Sequence, residues 1–335
     1  MMRRWLMWMS PPLMFCLMSS VGARAQTVDC SSTFAPITFA NDMNILTGQN
    51  MTTSGLNSRV TCRGLSADQT VRFCMGLGPG ENSINSAASR KMANASKTSF
   101  LEYNIYKTTF LGPVGGVWTP VDTDKPYIDL TQAFPSRGVT YFEATIFQNQ
   151  TATPVGIYTD KIKVHTHYYV CNTAIGEARP ISCAVTPVYA TRAPYDLTVT
   201  ATITANCTIS ATDMTFDPQT IITRDLYAES ALTVKCTNDP TNPALPYIAL
   251  DNGLKPDAGQ RRMANQYKPG KFIKYDLYSN NSRTSPWGST FWMDKVEIAR
   301  CATSTPIPVY GKIPKPDISP ASGLYTDRVT ATVNF

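Results

Sequence analysis

The sequence predicts an all-β protein of two tandem antiparallel β-sandwich domains, immunoglobulin-like in general architecture, with one strand missing from the second. Short segments of alternating apolar and polar residues follow one another between clusters of Gly, Pro, Asn and Asp, and no long segment shows a helical apolar stripe. The same motifs occur twice in the same order. The last segment, 322–335, alternates like a strand with one buried face, and the chain ends there without a returning strand.

Residues 1–25 are predicted to be a secretory signal. Arg3 and Arg4 precede an apolar stretch, and an A-x-A cleavage site ends at Ala25. Removal of this segment lowers the formal charge from +6 to +3 and leaves no run of Lys or Arg. This charge pattern argues against nucleic-acid binding.

The repeat divides the mature chain into a first domain, residues 26–175, and a second domain, residues 176–335. The paired motifs are RKMAN with Arg90 and RRMAN with Arg262, LEYNIY from Leu101 and IKYDLY from Ile273, Trp118 and Trp287, and GIYTDKIKV from Gly156 and GLYTDRVTA from Gly323. So long a period is typical of two domains rather than of a solenoid.

The mature chain keeps eight of the nine cysteines, an even number that indicates disulfides in an oxidising compartment. Cys30 and Cys62 occupy the repeat positions of Cys207 and Cys236. The simplest connectivity joins each pair within its own domain.

The other cysteines, Cys74, Cys171, Cys183 and Cys301, have no repeat counterpart. A bond from Cys74 to either Cys171 or Cys183 is favoured, and the sequence leaves this choice open. The cysteine spacings match no zinc site.

Taken together, the motifs resemble the spore coat protein U (SCPU) family. The order is R-M, Y-x-L-Y, W-G, V-Y-G-K-I-P from Val309 to Pro314, and G-x-Y-x-D-x-V before an aromatic C-terminus. The second half matches almost end to end; the first half departs at its last strand, which carries His165 and His167. Secreted members of the family include subunits of archaic chaperone–usher (Csu-type) pili, among them two-domain tip adhesins.

The resemblance implies sandwiches that lack one strand. A periplasmic chaperone fills the gap during transit, and the N-terminal strand of the next subunit fills it in the fibre. Tyr325, Val329, Val333 and Phe335 are expected to line this acceptor groove, and the resemblance implies that the terminal carboxylate of Phe335 anchors the chaperone. The alternative is a fully paired strand in a complete sandwich.

A comparison of the two N-terminal flanks predicts the position of the subunit in a fibre. An alternating segment, 193–206, precedes Cys207 and is long enough for a donor strand, whereas four mature residues precede Cys30. A subunit without a donor strand cannot fill the subunit ahead of it, so we expect the tip position and an adhesive first domain. Residues 196–204 are further expected to complete the first domain within the chain.

Apolar residues between Gly and Pro in the segment 108–120 suit contact with hydrophobic surfaces. The adhesive candidates are Phe110, Leu111, Val114 and Val117. Trp118 is expected in the core instead, because it matches Trp287. A second candidate is the stretch 41–51, with Met43, Ile45, Leu46 and Met51, for which an ordinary connecting loop is the alternative.

No catalytic, metal or cofactor site is expected. His165 and His167 share one strand face and could share a metal ion, but Lys161 and Lys163 on that face would repel it, so a solvated polar face is the stronger interpretation. With no other histidine, no P-loop and no dinucleotide fingerprint, enzyme activity is not expected.

The sequence therefore predicts a pilus tip subunit, exported through the periplasm to the cell surface, that mediates adhesion and biofilm formation. The expected partners are a periplasmic pilus chaperone, an outer-membrane usher, the adjacent pilin subunit, and a surface or receptor bound by the first domain. The alternatives are a non-adhesive structural or minor pilin and a free secreted β-sandwich binding protein.

Overall fold

The computed structural model describes residues 27–40, 43–83, 87–109, 112–120, 127–177, 183, 190–240, 242, 244–289, 294–298 and 305–334. The predicted signal lies outside the described residues. The first half contains β1 (Asp29–Phe34), β2 (Ile37–Thr38), β3 (Met51–Arg63), β4 (Gln69–Gly80), β5 (Arg90–Ala93), β6 (Phe100–Thr109), β7 (Gly112–Val117), β8 (Tyr127–Thr131), β9 (Ser136–Ile146), β10 (Gly156–Asn172), β11 (Ala190–Thr191) and β12 (Tyr195–Ile203), with short 3-10 helices at Ile45–Thr47 and Thr173–Ile175.

The second half consists of shorter strands. They are β13 (Cys207–Ala211), β14 (Leu226–Cys236), β15 (Tyr247–Leu250), β16 (Arg262–Asn265), β17 (Phe272–Lys274), β18 (Asp276–Tyr278), β19 (Val296–Glu297), β20 (Thr305–Ile313), β21 (Tyr325–Thr326) and β22 (Ala331–Asn334). Each half encloses its own apolar core.

The strands of the first half form one hydrogen-bonded network in the order β1-β3-β9-β6-β5-β10-β12-β2. β10 is the longest strand and pairs with β12 and β11 on one side and with β5 and β4 on the other. Its side chains alternate between buried and exposed over most of its length, because successive residues of a strand point to opposite faces.

Every strand pair of the second half has a counterpart in the first. The pairs β13–β14 and β14–β20 repeat β1–β3 and β3–β9, and β15–β19 repeats β4–β8. The pairs β16–β21 and β15–β22 repeat β5–β10 and β4–β10, so the segment 325–334 corresponds to the first part of β10. The prediction of two tandem antiparallel β-sandwiches is confirmed.

The disulfides support this correspondence. Cys30–Cys62 joins β1 to β3, and Cys207–Cys236 joins β13 to β14, so both predicted pairs are confirmed.

Cys183 bonds to Cys74 on β4, which settles the choice that the sequence left open. The bond attaches the connection between β10 and β11 to the sandwich of the first half. Cys301 lies outside the described residues.

β12 completes the sandwich of the first half, as expected for residues 196–204. It runs antiparallel to β10, from Val164 opposite Tyr195 to Gly156 opposite Ile203. It also pairs in parallel with β2, and the Phe39 amide donates to the Thr200 carbonyl over 3.0 Å. Its inward side chains are buried in the first core: Leu197, Val199, Ala201 and Ile203.

The division into domains 26–175 and 176–335 stays a prediction. β12 belongs to the second repeat by its place in the sequence and to the first sandwich by its hydrogen bonds.

The first prediction concerns this strand. Val199→Asp would put an unpaired carboxylate in the centre of the first core, and we expect it to destabilise the first half by about 3 kcal/mol or more. Differential scanning calorimetry of the full chain would show the transition of the first half at lower temperature. Thr202→Asp, on the outer face of the same strand, is the matched control. An unchanged transition in Val199→Asp would contradict a structural role for β12.

Candidate functional site

The second half has an open cleft where the first half holds β12. Among the described residues, no strand pairs with the side of the segment 325–334 that corresponds to the β12 side of β10. The cleft has a volume of about 690 Å³, and its two walls are the segments 209–216 and 325–331. Its floor is formed by the side chains of Leu232, Leu250, Met263, Tyr275, Leu277 and Val309.

The wall formed by β10 in the first half and by the segment 325–331 in the second differs in burial between the two halves. Beside β12, the inward residues of β10 are fully buried: Tyr158, Ile162 and Val164. Their counterparts on the cleft are only half-buried: Tyr325, Val329 and Ala331. The same positions therefore carry apolar surface that one further strand would cover.

The opposite wall shows the same difference. Ile37 and Phe39 are fully buried beside β12, whereas their counterparts Met214 and Phe216 are half-buried. A Cβ on Gly311 of β20 would collide with both of these side chains. Because Gly311 has no side chain, Met214 and Phe216 pack directly against β20.

Hydrogen bonds to Asp327 fix the wall 325–331 to the body of the second half. The Tyr275 hydroxyl donates to Asp327 Oδ2 over 2.7 Å, and the Leu254 amide donates to Asp327 Oδ1 over 2.8 Å. Burial, together with the Asp327 carboxylate, raises the pKa of Tyr275 above its ordinary value, so this phenol remains a neutral donor.

A buried arginine joins the strands below the cleft. Arg261 Nη2 donates to the Leu250 carbonyl over 3.0 Å and to the Trp287 carbonyl over 2.8 Å. Burial lowers the pKa of this guanidinium. Arg261, rather than Arg262, is thus the structural partner of Arg90 in the repeat.

The first half contains the same contacts. The Tyr103 hydroxyl donates to Asp160 over 2.8 Å, and Arg90 Nη2 donates to the Trp118 carbonyl over 2.7 Å. Burial lowers the pKa of Arg90 to about 10 and raises the pKa of Asp160. The repeated Arg, Tyr, Asp and Trp positions therefore support the sandwich in both halves, whether or not the adjacent groove is filled.

Two of the predicted acceptor residues line the cleft. Tyr325 and Val329 face it, whereas Val333 is half-buried in β22 and pairs with Ile248 of β15. Phe335 lies outside the described residues. The acceptor role of these residues stays a prediction.

The predicted adhesive segment forms the hairpin of β6 and β7. Its arms pair Tyr106 with Val117 and Thr109 with Gly112, and Val117 is half-buried. Phe110 and Leu111, as well as the side chain of Val114, lie outside the described residues. Trp118 is fully buried, which confirms the core position inferred from Trp287.

The second adhesive candidate, 41–51, is wrong for three of its four apolar residues. Met43, Ile45 and Leu46 are buried in the first half, because a 3-10 helix capped by the Asn44 side chain turns them inward. The alternative, an ordinary connection, describes this stretch.

The two histidines do not form a paired site. His165 is exposed, and His167 Nε2 lies 3.0 Å from the Cys183 carbonyl oxygen. Lys163 forms an ion pair with Asp196 over 2.6 Å. In the described part of the chain, no group of three His, Cys, Asp or Glu residues is placed to hold a metal ion. None of the described helices is long and apolar enough to cross a membrane.

Both halves of the repeat match one known protein family. The Spore Coat Protein U domain family matches residues 18–165 and 193–332. "Protein U" of Myxococcus xanthus is 31% identical over 168 residues, which cover 45% of this chain and 90% of that protein.

Among solved structures, similarity extends over nearly the whole chain. The CsuC–CsuE chaperone–tip adhesion subunit pre-assembly complex, from archaic chaperone–usher Csu pili of Acinetobacter baumannii, matches with a TM-score of 0.51 and 18% identity, covering 92% of this chain and 100% of that chain. The CupB6 tip adhesin from Pseudomonas aeruginosa gives a TM-score of 0.37 and 12% identity, with 91% and 94% covered.

The first of these structures shows that the fold is shared with a pilus subunit, a class of protein that is not enzymatic. The family match covers both repeats and most of the chain. The chain therefore belongs to the Spore Coat Protein U domain family, as its repeated motifs indicate.

Proposed function

We propose that this protein is an exported pilus subunit at the tip of the fibre, with an adhesive first half and a second half that accepts a strand from the next subunit. One observation supports this proposal above the others. The groove of the first half is filled by β12, and the same groove in the second half is open. An open sheet edge with half-buried apolar walls is suited to strand addition.

β12 cannot fill the second groove of its own chain, which supports a strand from another subunit as its occupant. Arg192 Nε donates to the Cys30 carbonyl over 2.8 Å, so the start of β12 lies beside Cys30 and Ile203 lies at the far end of the groove. Cys207 is the counterpart of Cys30. If β12 filled its own second groove, residue 203 would lie roughly 35 Å from Cys207. The four Cα steps between them span at most about 15 Å.

The use of β12 within the chain supports the tip position. In a fibre, the strand before a sandwich would be donated to the subunit ahead, but here that strand completes the first half of the same chain. Within the described residues, only Thr27 and Val28 precede β1. Among the described residues, the one strand that precedes a second sandwich is therefore already used within the chain.

An open groove also accounts for the proposed partners. Its unpaired backbone groups and half-buried apolar residues would promote aggregation during export. A periplasmic chaperone that covers this edge, and an usher that exchanges it for the next subunit, would prevent this. The related fold was solved as a chaperone–tip subunit complex, which supports the same assignment here.

The proposed adhesive hairpin lies far from the second half. The Glu102 carbonyl, near the start of β6, accepts from Phe147 and Gln150 in the connection after β9. Val155, in the same connection, donates to the Asn238 carbonyl of the second half over 2.7 Å. From Glu102, β6 runs on to its last residue, Thr109, over roughly 23 Å. We propose that this end of the hairpin makes the contact with a surface from which biofilm formation would begin.

The second prediction tests the acceptor groove. A peptide with the sequence of residues 193–205, added to the full chain, should raise the unfolding temperature of the second half. At a hundredfold excess over Kd, the expected stabilisation is about 2.7 kcal/mol. Differential scanning calorimetry would measure it.

The matched control peptide has Asp in place of Val199, which would bury a carboxylate in the groove. Equal effects of the two peptides, or no effect of either, would contradict strand acceptance and favour a free secreted binding protein.

The third prediction tests adhesion. Phe110→Ser combined with Leu111→Ser should reduce adsorption of the full chain to polystyrene beads by about threefold or more, because less apolar area can be buried on contact. The control is Ile221→Ser in the second half, where the side chain is 61% exposed. Equal adsorption of the hairpin variant and the control would favour a non-adhesive minor pilin.

A further inference from the structure

One end of the acceptor cleft differs from its filled counterpart by more than the missing strand. In the first half, this end is closed by a cluster of aromatic rings around the start of β12. The Phe34 ring lies 5.7 Å from the Phe142 ring and 6.5 Å from the Tyr195 ring, and the Trp118 ring lies 5.4 Å from Phe142. The cluster belongs partly to the sandwich and partly to the strand that completes it.

The second half lacks the two phenylalanine rings that the sandwich supplies. The repeat and the strand pairing place Ala211 at the position of Phe34 and Val309 at the position of Phe142. Ala331 stands at the position of Val164, directly opposite the place that Tyr195 takes in the first half. The three smaller residues all line the cleft: Ala211, Val309 and Ala331.

The tryptophan of the cluster is retained, because Trp287 is fully buried below the cleft, as Trp118 is in the first half. Ala211 and Val309 therefore border the place of the incoming strand, above a packed tryptophan.

The polar contact of this end is also lost. In the first half, the Tyr195 hydroxyl hydrogen-bonds to Ser32 Oγ over 2.8 Å. Ile209 takes the place of Ser32 and lines the cleft, and Leu232 takes the place of the buried Ser58. This end of the cleft is thus more apolar than the filled groove, and a phenol placed there would lose its partner.

We propose that this end of the cleft, which we name the Ala211 pocket and define by Ile209, Ala211, Leu232, Val309 and Ala331, selects the strand of the next subunit. The selected strand carries a large side chain without a hydroxyl, such as Phe, at the position opposite Ala331. This proposal rests on the proposed function, since it names the chemistry of the partner strand. It also separates the two grooves: β12, with Tyr195, suits the first, and a strand with Phe there suits the second.

The experiment uses three peptides with the sequence of residues 193–205: the natural one, Tyr195→Phe and Tyr195→Ala. Binding to the full chain is measured by isothermal titration calorimetry. The Phe peptide is expected to bind more tightly than the natural peptide, because its ring carries no hydroxyl that would lose its partner. It is expected to bind at least about tenfold more tightly than the Ala peptide, because alanine leaves the pocket unfilled.

Ala211→Phe is the matched protein variant, because it restores the ring that Phe34 supplies in the first half. In this variant, the Phe peptide should lose its advantage over the Ala peptide. Val309→Phe, which restores the ring of Phe142, should have the same effect and serves where Ala211→Phe fails to fold, as judged by its thermal unfolding.

Each outcome is informative. If the Phe and Ala peptides bind with equal affinity, or if the preference persists in both filled variants, the Ala211 pocket does not select the strand, although strand acceptance stands. If none of the three peptides binds, the acceptor groove itself is refuted and the proposed function fails with it.

Discussion

The constraint on which the rest of this structure depends is the hydrogen bonding of one strand edge. β10 and the segment 325–334 occupy equivalent places, and each has backbone groups that need a strand beside them. In the first half, β12 satisfies these groups and buries the apolar residues on both sides of it. In the second half, the same residues stay half-exposed around a cleft. One strand therefore accounts for the main difference between two otherwise matching sandwiches.

Two features commit β12 to the first half. The connection between β10 and β12 is attached to the sandwich by the Cys74–Cys183 disulfide and by the pairing of β11 with β10. A strand held on such a connection is presented to its groove at a high effective concentration, so a free strand competes poorly for it. On the other side, the short link to Cys207 prevents β12 from reaching the second groove.

The sequence predicted much of this because the repeat can be read directly. The two sandwiches, two of the disulfides, the core positions of the tryptophans and the role of residues 196–204 all follow from a comparison of the halves. Other features require three-dimensional contacts. The partner of Cys74 depends on where the connection reaches β4. Met43 and Ile45 were expected at the surface because polar residues flank them in the sequence, but both are buried in the first half. The significance of having Phe34 in one half and Ala211 in the other follows only from the structure, in which both border equivalent ends of the two grooves.

The contacts that support the second groove also bear on how it would bind a strand. Both grooves are supported by the same pair of contacts: a tyrosine donates to an aspartate, and an arginine donates to a tryptophan carbonyl. The second groove therefore has contacts of its own that hold its walls in place. A preformed groove loses less conformational entropy on binding than one that must fold around its ligand.

Under the proposed function, the described chain contains a filled groove, then the strand that fills it, and then one open groove. A fibre that starts from this subunit can then grow in only one direction.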